Sequence, residues 1–250
     1  RLMKLKRWLP WLVLAYLISL LVLLPARVIY WMPLPNNIQL TQVSGTLWQG
    51  AAGQVVVDGN VINDLSWDWQ VSSIFLGDLV VDVKVPKQNN PFSLQGRLFA
   101  SSTRIGAQNI KASGSLGALL DIAQTKLPLQ TKGRWELDVS EYVVTAPGPV
   151  RWCDNLEGSA SGDNIQVLVN GQWQSLGSFP VELGCHDDNS VALIMKGDND
   201  LSLEVDASIN SQDIKASGTV KPTPRTPEGL AKLIQYMGQP DAQGRYSFRL

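Results

Sequence analysis

The chain has a single histidine, His186, which follows Cys185 directly and precedes Asp187 and Asp188. A thiolate beside an imidazole is a pairing that nucleophilic catalysis uses, so a small hydrolase working through His186 is one chemistry this spacing allows. The same stretch also reads as an acidic surface turn, and that is the reading its neighbours favour. Cys185 has one possible mate, Cys153. In an oxidising compartment the two would form a disulfide and leave no thiolate for the histidine; two buried free thiols are the alternative. In Gly158-Ser159-Ala160-Ser161-Gly162 the serines stand out of phase for a nucleophile elbow, and no Ser-x-x-Lys occurs. Asp198-Asn199-Asp200 lacks the glycine and distal glutamate of a calcium loop. Phosphate-cradling glycine loops and Cys-x-x-Cys are absent from the sequence. The expectation is no catalytic, cofactor-binding or metal-ligating residue, and a protein that is not an enzyme.

The nine tryptophans stand out more than any polar cluster. Trp8, Trp11 and Trp31 flank an uncharged run from Trp8 to Ala26, bounded by Arg7 and Arg27. As a helix this run reaches about 28 Å, close to the hydrocarbon thickness of a bilayer. A cleaved signal peptide would need a shorter apolar core and a small-x-small site, whereas Arg27-Val28-Ile29-Tyr30-Trp31 is bulky. The run therefore reads as a retained single-pass membrane helix, with Met3-Lys4-Leu5-Lys6 as a natural start. Its basic leading end sets residues 1–7 in the cytoplasm and everything after Arg27 outside. The other tryptophans considered, Trp48, Trp67, Trp69 and Trp135, are expected on strands, either filling a core or lining an apolar groove.

Residues 1–27 carry five Lys and Arg and no acid; without them, the 21 basic and 22 acidic residues of the chain leave the exterior part at about −6. That sign offers nothing to nucleic acid, which is excluded as a partner.

Beyond the anchor, apolar and polar residues alternate with period two, the mark of antiparallel strands wet on one side. Leu65, Trp67, Trp69 and Val71 alternate with Ser66, Asp68 and Gln70. Leu79 to Val85, Arg134 to Val139, and Leu201 to Ile209 behave alike. Asp58-Gly59-Asn60, Gln88-Asn89-Asn90, Asn170-Gly171 and Asp198-Asn199-Asp200 punctuate these runs as turns. Two short helices are expected. One has Thr226 as N-cap, Pro227 first in the helix, an apolar stripe of Leu230, Leu233, Ile234 and Met237, and Gly238 as its stop; the other runs from Leu116 to about Ala123.

An internal repeat links these elements. Asn109-Ile110-Lys111-Ala112-Ser113-Gly114-Ser115-Leu116 matches Asp213-Ile214-Lys215-Ala216-Ser217-Gly218-Thr219-Val220. Each copy is followed by a helix and then by Gly-Arg-aromatic, Gly133-Arg134-Trp135 and Gly244-Arg245-Tyr246. The expected fold is mainly β: an N-terminal transmembrane helix (8–26), a linker (27–36), and a curved, largely antiparallel sheet of two similar halves, 37–139 and 140–250, with two short helices.

Several stretches carry a resemblance to a known family. They are the basic start, the anchor running into Leu24-Pro25-Ala26, the Gly-x-Leu-Trp-x-Gly signature in Val43-Ser44-Gly45-Thr46-Leu47-Trp48-Gln49-Gly50, and Gly77-Asp78-Leu79. Leu183-Gly184-Cys185, Gly218-Thr219-Val220-Lys221-Pro222 and Gly238 through Tyr246 continue it. Over nearly its whole length the chain resembles the type II secretion system protein N family. The resemblance implies a non-catalytic accessory component, in the inner membrane of a Gram-negative bacterium, of the machine that exports folded proteins from the periplasm across the outer membrane. Its implied partners are other components of that secretion system. The Gly-x-Leu-Trp signature is also similar to that of membrane-anchored AsmA-like β-groove proteins, which implies, as an alternative, a lipid-binding or lipid-transport module with lipid as a ligand.

Overall fold

The computed structural model describes residues 2–31, 35–122, 129–146, 148, 151–210 and 213–249, with side chains from residue 8 onward. The chain opens with helix α1, Leu2–Val22. Every large apolar side chain from Trp8 to Val22 on it is exposed, Trp8 to 66% and Val22 to 57%, so this part of the helix stands clear of the rest of the molecule. It stops short of the expected end at Ala26. Pro25 has no N–H to continue the ladder and drives the residue before it out of helical geometry. Pro25 instead bridges to Thr46, and the chain passes into a 3₁₀ turn, Ala26–Trp31, inside what the sequence presented as linker. Among the described residues, no helix is long and apolar enough to cross a membrane.

Thirteen strands among the described residues then form one antiparallel sheet whose spatial order is the order of the chain. They are β1 (Ile38–Gly45), β2 (Gln49–Val57), β3 (Asn60–Trp69), β4 (Leu79–Val85), β5 (Phe92–Ala100), β6 (Arg104–Ser115), β7 (Thr131–Thr145), β8 (Asn155–Val169), β9 (Gln172–Cys185), β10 (Val191–Lys196), β11 (Glu204–Ile209), β12 (Ile214–Val220) and β13 (Tyr246–Arg249). Helix α2 (Val71–Ile74) joins β3 to β4, α3 (Leu116–Ile122) joins β6 to β7, and α4 (Glu228–Gln235) joins β12 to β13. Hairpins dominate because the turn residues accept left-handed backbone: Asp58 and Gly59 lie at φ 48° and 83°, Asn170 and Gly171 at 50° and 77°.

Cross-strand register sorts the side chains into two faces. Val85, Leu94, Ala112, Leu137, Ala160 and Val181 stand opposite one another from β4 to β9. The neighbouring row alternates aromatic residues with glycine: Phe92, Gly114, Trp135, Gly162 and Phe179. A Cβ on Gly114 would come within 2.9 Å of the Phe92 Cβ and the Pro91 carbonyl oxygen and 3.0 Å of the Trp135 indole nitrogen, so the neighbouring strands leave no room for a side chain.

The apolar face is covered at two places. The 3₁₀ turn sets Ala26 against Val43, Ala52 and Val55. Near the other edge, α4 inserts Leu230 and Ile234 among Ile165, Val167, Val169, Leu176, Phe179 and Val220.

Several expectations need correction. Leu233 and Met237 are 43% and 46% exposed, so half of the expected stripe of α4 faces solvent. Thr226 does not cap that helix; its hydroxyl donates to the Asp200 carbonyl at 3.0 Å and accepts from the Thr223 N–H at 2.8 Å. Leu201 to Leu203 are not strand, because the Asn199 carboxamide oxygen accepts both the Leu201 and Leu203 N–H groups and folds the segment into a loop. Trp48 lies in the β1–β2 loop and not on a strand. Gly244-Arg245 sits in a turn whose N–H groups Asp241 collects, whereas Gly133-Arg134 is inside β7. The expected boundary at 139/140 falls within β7, where its register against β8 shifts. The end expected for the first short helix, Ala123, lies outside the described residues.

Candidate functional site

A groove of about 920 Å³ spans β4 to β10. Its lining takes in the apolar row Val85, Leu94, Ala112, Leu137, Ala160 and Val181 together with polar residues on either side of it, among them Lys111, Glu136, Asp138, Ser159 and Glu182. Three smaller hollows lie beyond it, one along β2 to β6 and two between the β9–β10 turn and β13.

Two charge pairs in the groove cross strands, and a third lies in the hollow along β2 to β6. Lys111 Nζ lies 3.3 Å from Asp138 Oδ2, its register partner, and Lys196 Nζ lies 2.6 Å from Glu182 Oε1. Arg97 grips Asp82 through two hydrogen bonds, of 2.8 and 3.2 Å, and Gln70 adds a third at 3.2 Å. The Arg97 guanidinium holds the Asp82 carboxyl below the usual carboxylate range, and its own pKa is raised by the same contact. The charged and hydroxyl groups of this surface can hydrogen-bond an extended polar chain, and Val85, Leu94, Leu137, Val181 and Ile194 add apolar lining beside them.

Cys153 and Cys185 form a disulfide, with Cα atoms 5.4 Å apart. The bond joins the segment before β8 to the end of β9 and leaves no thiolate beside His186. The imidazole Nε2 lies 3.1 Å from Asp206 Oδ1 but is not aligned for a hydrogen bond. The backbone of His186 closes the turn, its N–H donating to the Ser190 carbonyl and its carbonyl accepting from the Asn189 N–H. Asp188 accepts from the Ser190 N–H and hydroxyl, which lowers its pKa. Among the described residues, no group of His, Cys, Asp or Glu side chains is placed to hold a metal ion.

Asp154, one residue past Cys153, was not singled out by the sequence. Its carboxylate accepts from the Thr145 N–H and hydroxyl, at 2.5 and 2.7 Å, from Arg151 Nε at 2.7 Å, and from Asn189 Nδ2 at 3.3 Å. These bonds, with the Thr145 N–H foremost, hold its pKa below the ordinary carboxylate value. Asn189 also donates to the Cys153 carbonyl, so the disulfide and Asp154 together tie β7, the 151–154 segment and the 186–190 turn into one unit.

Comparison with known proteins adds to this geometry. The profile of the family described as Type II secretion system (T2SS), protein N matches residues 36–249. The chain is similar to the type II secretion system protein N of Vibrio cholerae, at 30% identity over 92% of this chain and 91% of the relative. It is also similar to the proteins of that name in Aeromonas hydrophila, at 29% identity over 94% and 93%, and Klebsiella pneumoniae, at 26% over 94% and 90%. No solved structure matches it.

Proposed function

The chain belongs to the type II secretion system protein N family, and from that premise we propose that it is an inner-membrane accessory component supporting export of folded periplasmic proteins across the outer membrane. The observation that carries this reading is the extent of the family match, which takes in all thirteen strands. In this reading the anchor is the uncharged run from Trp8 to Ala26, of which α1 forms the part up to Val22, with Lys4, Lys6 and Arg7 at the end that would meet cytoplasmic headgroups. Its exposed apolar surface is turned all round toward whatever surrounds it, as a lipid-facing helix requires. The sheet stands in the periplasm, where the Cys153–Cys185 bond is stable.

The groove along β4 to β10 is the surface we assign to contact with other secretion components. Its cross-strand charge pairs suit an extended hydrophilic segment. A photo-crosslinking residue at Glu136 or Ser159, in secreting cells, should capture another component of the secretion machinery, while the same residue at Gln88, in the β4–β5 turn, should not. Capture from Gln88 alone would move the contact off the groove, and phospholipid captured from Glu136 would favour the lipid-binding alternative.

A further inference from the structure

We propose that the β3–β4 connection is a second membrane contact, a short apolar loop that enters the headgroup region of the bilayer beside α1. Residues 70–77, Gln-Val-Ser-Ser-Ile-Phe-Leu-Gly, carry no charge. Phe75 and Leu76 are 87% and 84% exposed, and Val71 and Leu79 beside them are also exposed. Surface leucines are common, but two adjacent large apolar side chains bared almost completely at a loop tip call for a partner.

The connectivity supplies that partner. The indole N–H of Trp48 donates to the Leu21 carbonyl in the last turn of α1 at 2.8 Å, and the Leu47 N–H donates to the Leu24 carbonyl at 2.8 Å. The Trp48 carbonyl in turn accepts from the Trp69 N–H at 2.7 Å, and Trp69 leads directly into α2. The end of α1, the β1–β2 loop and the β3–β4 loop therefore lie side by side at one end of the sheet, about two strand spacings or 10 Å across. Any bilayer holding α1 has its surface there.

The loop is also built to leave water. Gln70 N–H donates to the Val80 carbonyl, Ser73 N–H to Gln70, Leu76 N–H to Ser73, Gly77 N–H to Ile74 and Asp78 N–H to Ser73. Its backbone donors are thus largely satisfied within itself, the condition for entering an apolar phase. Gly77, at φ 86° with open space around it, makes the return turn.

This inference rests on the reading of α1 as a membrane anchor, and one experiment separates the two. The native cysteines are paired in the disulfide, so a single introduced cysteine can be labelled specifically. The full chain is reconstituted in vesicles of phosphatidylethanolamine and phosphatidylglycerol with no other protein. Leu17→Cys, Phe75→Cys and Gln88→Cys variants each carry an environment-sensitive fluorophore. Position 88 lies in the turn beyond the far end of β4, whose span from Leu79 to Val85 is about 20 Å. The proposal predicts that iodide quenches the label at 75 several-fold less than at 88, with blue-shifted emission at 75 and the deepest shielding at 17. Quenching at 75 equal to that at 88, with 17 shielded, would overturn the loop contact and leave the anchor standing. Quenching at 17 equal to that at 88 would overturn the anchor and the loop proposal with it.

Discussion

At the scale of single residues, Asp154 organises the sheet rim next to the disulfide. Its side chain is 15% exposed and accepts four hydrogen bonds, three of them from neutral groups that gain from a charged acceptor. Asp154→Asn should lower stability at pH 7 by about 1–3 kcal/mol. Its folded pKa lies below the unfolded value, so the carboxylate contributes fully above about pH 4 and the contribution fades as pH falls through the folded pKa. Urea unfolding at pH 7 and pH 2.5 checks this, the gap between wild type and variant closing at the lower pH. Reducing Cys153–Cys185, which closes a loop of 32 residues, should lower stability by about 3–4 kcal/mol, read as a shift in denaturant midpoint that Cys153→Ser/Cys185→Ser reproduces without reductant. The cysteine pair was legible because the sequence holds two cysteines, each with one possible mate. Asp154 was not, because Asn189 is remote in sequence and the meaning of Thr145 depends on where β7 ends.

At the scale of elements, period-two alternation located β3, β4 and β7, since one face of each is apolar and the other polar. The same alternation misled over Leu201 to Leu203, where a side-chain amide competes for the backbone donors that a strand would use. Helix α2 escaped notice because four residues, Val-Ser-Ser-Ile, leave no room for a helical period. The alternating aromatic and glycine row was visible residue by residue but acquires meaning only through register. Gly114→Val should destabilise by about 1–3 kcal/mol, because Phe92 and Trp135 must move to admit it; thermal unfolding would show it, and an unchanged midpoint would contradict the ladder. Leu230→Ala, removing the buried face of α4 from its cluster, should cost about 2–5 kcal/mol, whereas Leu233→Ala, on the exposed side, should cost far less.

At the scale of the whole molecule, alternation announces that a sheet has two unlike faces but not which of them is concave. That depends on how the strands twist and coil together; the 3₁₀ turn and α4 shield parts of the apolar face. The two edges differ as well. On β1 the backbone breaks at Gln42, with φ 56°, and the Val43 N–H is taken by the Tyr30 hydroxyl, so further pairing is blunted. On the opposite side β13 pairs with only Ser217 to Val220 of β12, leaving Ile214 66% exposed on the rim. The molecule thus presents the β4–β10 groove and, at β12 and β13, a rim with exposed apolar residues. Secretion itself gives the most direct test: delete the gene, restore either the full chain or residues 28–250 alone, and measure the enzymes released into the medium. The account predicts that release falls on deletion and returns only with the full chain. Unchanged release, with altered envelope permeability or lipid composition, would contradict it.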